Sequence, residues 1–198
     1  MIALDLDNTI VCYDRAFLSA AASEGLRLPA GAPPSKGLVK SAALAAGGDA
    51  LWTRIQGVAY GEGMVHASLF PGCREFIDEA FRRGEEVAIV SHKSEYPASG
   101  LPVNLRKAAD DWLARSQLGL GDRLAVHYCD SRAEKVARVS ALDCRVLVDD
   151  LPEVYQAGGF PARTTFVLFD PAGEHLGWTA SARVDSWSGV RDLCFPPS

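Results

Sequence analysis

Short apolar runs closed by polar residues alternate along this chain with stretches whose apolar positions recur every three or four residues. The first run, Ile2-Ala3-Leu4, ends in Asp5-Leu6-Asp7-Asn8-Thr9, and its length predicts a buried strand with no helix before it. Val87-Ala88-Ile89-Val90 is unbroken, as in a strand covered on both faces, and closes in Ser91-His92-Lys93-Ser94. Leu124–Tyr128, Cys144–Val148 and Thr164–Phe169 predict three more strands. Between them, Cys73, Phe76, Ile77, Ala80 and Phe81 share one helical face, and Leu105, Ala108, Ala109, Trp112 and Leu113 share another. Ser131-Arg132-Ala133-Glu134 has the form of a capping box, so a helix begins at Arg132. Pro152 suits the start of a short helix that Gly158-Gly159 ends. Strands alternating with helices imply a parallel sheet with helices on both faces. The tail residues Trp178, Trp187 and Leu193 are expected to pack on the edge of that sheet.

Residues 12–69 have a different texture. Asp14 is placed to cap a helix through Ser23 that carries Phe17, Leu18 and Ala21 and stops at Gly25. A Pro/Gly-rich loop over 29–35 follows, and Ser35 can cap a second helix with Leu38, Val39, Ala42 and Ala46, ended by Gly47-Gly48. Asp49 starts a third, with Leu51, Ile55, Val58 and Ala59 on one face. This all-helical insertion has few large aliphatic residues and needs something larger to lean on. The expected division is a catalytic core of residues 1–11 and 70–198 and a helical insertion over 12–69.

Composition narrows the functional classes. At 198 residues, 48% apolar and 23% charged, the chain suits one globular core with a small appended unit. A net charge of −5 carries no basic footprint, so nucleic acid is not an expected partner. A phosphate-bearing metabolite stays compatible, because a local cation cluster can override the global sign. The five cysteines are scattered without C-x-x-C spacing, which predicts reduced buried thiols and no zinc site. No apolar stretch reaches membrane-spanning length and no secretory leader pattern opens the chain, so a cytoplasmic protein is expected.

The candidate chemistry lies at the strand ends. Asp5 and Asp7 are spaced i, i+2 and can converge beyond the carboxyl end of the first strand, where ligands bind in open α/β sheets. Crowded carboxylates repel unless a cation or a shared proton relieves them, which points to a hard metal such as Mg²⁺. Asp-Asn-Thr is also ordinary turn chemistry, and this stretch alone leaves both readings open. Ser91, Lys135 and Asp149-Asp150 all fall at or just beyond other strand ends, on the same rim. Lys135 sits in the first turn of its helix, where an ammonium opposes the macrodipole and calls for an anionic partner; Asp130 is one candidate.

These clusters, in this order, resemble the haloacid dehalogenase superfamily. Its D-x-D-x-T motif is matched by Asp5-Leu6-Asp7-Asn8-Thr9, its strand-closing Ser or Thr by Ser91, its helix-borne Lys by Lys135, and its acidic pair by Asp149-Asp150. The match spans residues 1 to about 155, and the 12–69 insertion resembles the family's helical first-type cap. The resemblance implies a Rossmann-like three-layer α/β sandwich with strand order 5-4-1-2-3.

It also implies roles. Asp5 is the expected nucleophile and Asp7 the general acid and base. Asp5, the Asp7 backbone carbonyl and Asp149 are the expected Mg²⁺ ligands, and Asp150 is either a further ligand or a residue that orients one. Ser91 and Lys135 are expected to hold phosphoryl oxygens. Apart from the resemblance, His92 and Lys93 follow Ser91 directly and either add donors for a second group on the substrate or lie in an exposed loop. Lys93 is read more readily as part of an exposed loop. Dehalogenases of the family need neither the second acid nor Mg²⁺, so Asp7 favours phosphoryl chemistry. The expected activity is a Mg²⁺-dependent phosphatase acting on a small phosphorylated metabolite, a sugar phosphate first, as a monomer or homodimer. A phosphomutase, a nucleotide phosphatase and a phospho-acceptor or binding module are the alternatives. Tyr13, Arg15, Trp52, Arg54, Tyr60 and His66 in the insertion are candidate selectivity residues, although aromatics there are more often core.

Overall fold

The computed structural model describes residues 1–29, 35–97, 102–118 and 123–196. In chain order its elements are β1 (Ile2–Leu4), β2 (Val11–Cys12), α1 (Asp14–Ser23), α2 (Lys36–Tyr60), a 3-10 helix (Glu62–His66), β3 (Ser68–Leu69) and α3 (Cys73–Arg82). They continue with β4 (Val87–His92), α4 (Leu105–Ser116), β5 (Ala125–Cys129), α5 (Arg132–Ala141) and β6 (Val146–Asp149). The last are α6 (Pro152–Gln156), β7 (Thr165–Phe169), β8 (Ala182–Val184) and α7 (Trp187–Cys194). Two compact units form: Met1–Ile10 with Leu69–Lys93 and Gln117–Ser198, and Val11–Ser68 with Ser94–Ser116.

The first unit carries a six-stranded sheet of order β5-β4-β1-β6-β7-β8, with every neighbouring pair parallel. The five expected strands stand in the expected order, and β8 extends the β7 edge. Sequence pattern did not reveal β8 because Ala182-Arg183-Val184 is short, half-buried and has no apolar run. Alternation along the strands splits the core into two layers. Ala3, Ala88, Val90, Leu147, Phe166 and Leu168 pack with Val136 and Val139 of α5 and Val154 of α6. On the other face Trp187 of α7 meets Phe76 of α3 and Phe169, with ring centroids 5.1 and 5.6 Å apart. Trp187 is buried and Trp178 packs against the first layer, but Leu193 points to solvent, so one of the three tail residues does not serve the sheet.

The second unit holds α1, α2, the 3-10 helix and α4. Ser35 caps α2 by accepting the Leu38 N–H at 3.1 Å, as its sequence suggested. Asp14 does not cap α1: Tyr13 occupies that position, and Asp14 Oδ1 accepts the Lys36 N–H at 2.9 Å instead. The two helices expected on either side of Gly47-Gly48 are continuous except at Gly48, whose φ of 63° and ψ of −159° break the helical path. The expected core includes residues 94–116, whereas Ser94–Ser116 group with Val11–Ser68 in this unit. The indole of Trp112 in α4 donates to the Ala67 carbonyl at 3.2 Å, fixing the helix there. Tyr13, Phe17, Trp52 and Tyr60 form an aromatic cluster, with Phe17 and Trp52 stacked at 5.3 Å. Tyr13 and Trp52 are therefore core residues; Arg54 is paired with Glu24 at 2.9 Å, and Arg15 and His66 are exposed. Among the described residues, no helix is long and apolar enough to cross a membrane.

Candidate active site

Register brings the distant acids together. Leu4 of β1 pairs with Val148 of β6, and the Asp5 N–H donates to the Val148 carbonyl at 2.8 Å, so the ladder runs one step past the strand. Asp5 thereby lies beside Asp149. Carboxylate oxygens of Asp5, Asp149 and Asp150 all fall within 4.8 Å of one another. Asp149 is fully buried, and its Oδ1 also accepts the Leu151 N–H at 3.0 Å, which holds the turn after β6.

Lys135 enters from the first turn of α5, whose start is fixed by Ser131 Oγ accepting the Glu134 N–H at 3.1 Å. The side chain is 1% exposed. Its Nζ hydrogen-bonds Asp5 Oδ1 and lies 2.6 Å from Asp149 Oδ2. The anionic partners that its helix position required are these two acids, and Asp130 is not among the bonds its ammonium makes. Burial by itself would drive the proton off Lys135, but Asp149 and Asp5 outweigh it and hold the ammonium above the ordinary lysine range. For Asp5 burial wins: its carboxyl is pushed up to about 7, with Lys135 opposing the shift and Asp149 and Asp7 adding to it.

Carboxylate oxygens of three residues thus cluster where a buried ammonium meets two of them. That set of hard oxygen donors fits a divalent ion such as Mg²⁺. The side chains that converge are Asp5, Asp149 and Asp150. Asp7 was expected to contribute its backbone carbonyl, and its carboxylate is engaged elsewhere: Lys93 Nζ lies 2.9 and 2.8 Å from its two oxygens. Lys93 is therefore no exposed loop residue; it is 3% exposed and belongs to the site.

Among the described residues, two hydroxyls are buried without a hydrogen-bond partner, Ser91 Oγ and Thr9 Oγ1. A buried hydroxyl left unpaired costs about 1–3 kcal/mol, so each lacks a partner that a bound group could supply. The Thr9 carbonyl accepts the Trp187 indole N–H at 3.2 Å, which pins the turn after β1 to α7. Asn8 completes that turn with φ 62°, a conformation Asn tolerates better than most residues. His92 is not brought into the cluster. Strand alternation puts it out of phase with Ser91 and Lys93, and it is exposed where they are buried.

The sequence places Asp5, Asp7, Ser91, Lys135 and Asp149-Asp150 on one rim and ranks Lys93 below them, more readily an exposed loop residue than a donor. The signal was present: Ser91 and Lys93 repeat the i, i+2 spacing of Asp5 and Asp7. No protein-family model matches the sequence, and no curated protein sequence matches it. Solved structures do match the fold. A haloacid dehalogenase family hydrolase from Deinococcus radiodurans, with bound phosphate and sodium, has TM-score 0.59 at 16% identity, over 98% of this chain and 93% of that one. A putative phosphoglycolate phosphatase from Lactobacillus delbrueckii subsp. bulgaricus has TM-score 0.58 at 14% identity, over 99% and 98%. Protein tyrosine kinase A of Mycobacterium tuberculosis has TM-score 0.60 at 16% identity, over 98% and 97%. Proteins named for different reactions share this fold, so the residues on the rim must decide between them.

Proposed function

We propose, taking the haloacid dehalogenase fold as premise, that this protein is a Mg²⁺-dependent phosphohydrolase that cleaves a phosphate monoester through an aspartyl-phosphate on Asp5. The observation that carries the proposal is the convergence of Asp5, Asp149 and Asp150 around buried Lys135, with the unpaired Ser91 hydroxyl on the same rim.

Hydrolysis of such esters is among the slowest uncatalysed reactions, and its obstacle is bringing an anionic nucleophile to an anionic phosphate. Asp5, Asp149 and Asp150 would hold the metal, which when bound neutralises charge on the transferring group. In the first half-reaction a carboxylate oxygen of Asp5 attacks phosphorus and the ester P–O bond breaks. Asp7 gives a proton to the leaving alcohol oxygen. In the second, Asp7 takes a proton from water, whose oxygen attacks phosphorus and breaks the bond to Asp5, releasing inorganic phosphate. Ser91 Oγ donates to a phosphoryl oxygen, which satisfies its buried hydroxyl. Lys135 keeps Asp5 and Asp149 together and supplies positive charge to the same group. The choice of a small phosphorylated metabolite, a sugar phosphate first, is carried from the helical insertion read in the sequence.

A panel of phosphate monoesters assayed with and without Mg²⁺ tests the reading, with acid quenching to trap a phosphoryl group on Asp5. Release of alcohol and phosphate only with the metal is expected. Absence of turnover by folded, Mg²⁺-loaded protein across the panel would sink it.

A further inference from the structure

Lys93 is a buried ionic group, paired with Asp7, that the proposed chemistry does not use. The β4–β5 ladder continues past His92, because the Lys93 N–H donates to the Cys129 carbonyl at 3.1 Å, so its backbone is fixed. Its side chain turns inward and is 2% exposed, whereas a lysine at a strand end ordinarily carries its ammonium out to water. A buried ammonium is tolerated only when paired. Here the pairing is two-pronged, at 2.9 and 2.8 Å to the two oxygens of Asp7, whose side chain is 19% exposed. The Asp7 backbone is itself held in a turn closed by the Ile10 N–H donating to the Leu6 carbonyl at 3.1 Å. The Lys93 contact to both oxygens restrains rotation of the Asp7 carboxyl group about its side-chain bonds.

We infer that Lys93 is a positioning residue for Asp7: it fixes the plane of the Asp7 carboxyl group in the orientation from which the proton passes to the leaving oxygen. The inference rests on the phosphohydrolase reading above. It also singles out a substrate class. A carboxyl held this firmly matters most where the departing alkoxide is a poor leaving group, that is, for phosphate esters of aliphatic alcohols. An aryl phosphate with an acidic phenol leaves without the proton.

The test compares wild type, Lys93→Met, Asp7→Asn and the double variant on an alkyl phosphate and on p-nitrophenyl phosphate. Crystal structures of wild type and Lys93→Met accompany the kinetics. Misplacing a catalytic group by about an ångström costs on the order of a hundred-fold, so Lys93→Met should lose about that much kcat/KM on the alkyl ester. It should keep most of its kcat/KM on p-nitrophenyl phosphate, a quantity that reports only the first half-reaction, and add little to the loss already caused by Asp7→Asn. In the crystal its Asp7 carboxyl should leave the wild-type orientation. An equal loss of kcat/KM on both substrates would overturn the inference and make Lys93 a phosphate contact or a structural pair. An unchanged Asp7 orientation in Lys93→Met would overturn it as well. If Lys93→Met does not fold, Lys93→Gln, similar in length and still a donor, carries the same measurements with a smaller expected loss. Wild type inactive on every ester removes the phosphohydrolase reading, and the Asp7 orientation then decides the positioning claim alone.

Discussion

Lys135 and Asp5, 130 residues apart in the chain, are joined by a buried ion pair, and the same ammonium reaches Asp149. Breaking a buried pair by deleting one partner leaves uncompensated charge and typically costs about 3–5 kcal/mol. Lys135→Met should lower the unfolding free energy by about that amount in denaturant titrations near neutral pH. The loss should shrink in acid, where Asp5 takes up a proton. A variant as stable as wild type would mean that the three side chains are not packed together.

The Asp5 shift fixes the sign of a pH effect. Its carboxyl titrates near 3.8 when unfolded and at about 7 in the folded, metal-free protein. Between those values the native state binds the extra proton, so this group's contribution to stability falls as pH rises from about 4 to about 7. Lys135 is shifted upward from 10.5, so its contribution is fully present below that pH and flat across the window. Denaturant midpoints in chelator should therefore decline over that range, and Asp5→Asn should remove the decline. Millimolar Mg²⁺ should flatten it too, since a cation supplies what the proton supplied.

Ser91→Ala separates stability from activity. The hydroxyl is buried and unpaired, so removing it relieves a desolvation cost, and the variant should be unchanged or up to about 2 kcal/mol more stable. Turnover of a phosphate ester should nevertheless fall about a hundred-fold if that hydroxyl serves the transferring group. Thermal melts alongside initial rates give both numbers. A destabilised variant would show that the hydroxyl has a protein partner after all.

Gly48 offers a test away from the site. Beyond its chain neighbours and its own helix backbone, no atom among the described residues lies within 4 Å of where its Cβ would stand, so tertiary crowding does not oppose a substitution. Its backbone, at φ 63° and ψ −159°, is accessible to glycine almost alone. Gly48→Ala should cost about 1–3 kcal/mol, read as a lower unfolding midpoint with unchanged denaturant slope.

Much of this was legible in the residues themselves. The run Val87–Val90 has the form of a strand covered on both faces, and β4 is buried along that stretch. The placement of Lys135 against its helix dipole asked for an acid partner, and the structure supplies two. Other features left weaker traces. β8 is three half-buried residues whose pairing with β7 comes from the sheet edge, not from local preference. His92 and Lys93 are both polar and adjacent, so composition ranks them alike; only the phase of the strand buries one and exposes the other. Residues 94–116 follow a core strand, but Trp112 anchors their helix in the second unit.

The amino-acid order determined where the strands and helices lie and that each strand end carries a polar cluster, because periodicity and capping act over a few residues. The tertiary structure decided which clusters meet. Pairing of β1 with β6 set Asp5 beside Asp149, the extra ladder step at Lys93 turned its ammonium onto Asp7, and Asp150 joined the acids in place of the Asp7 carboxylate. Those are contacts between residues far apart in sequence, fixed by register and desolvation, and no local pattern encodes them.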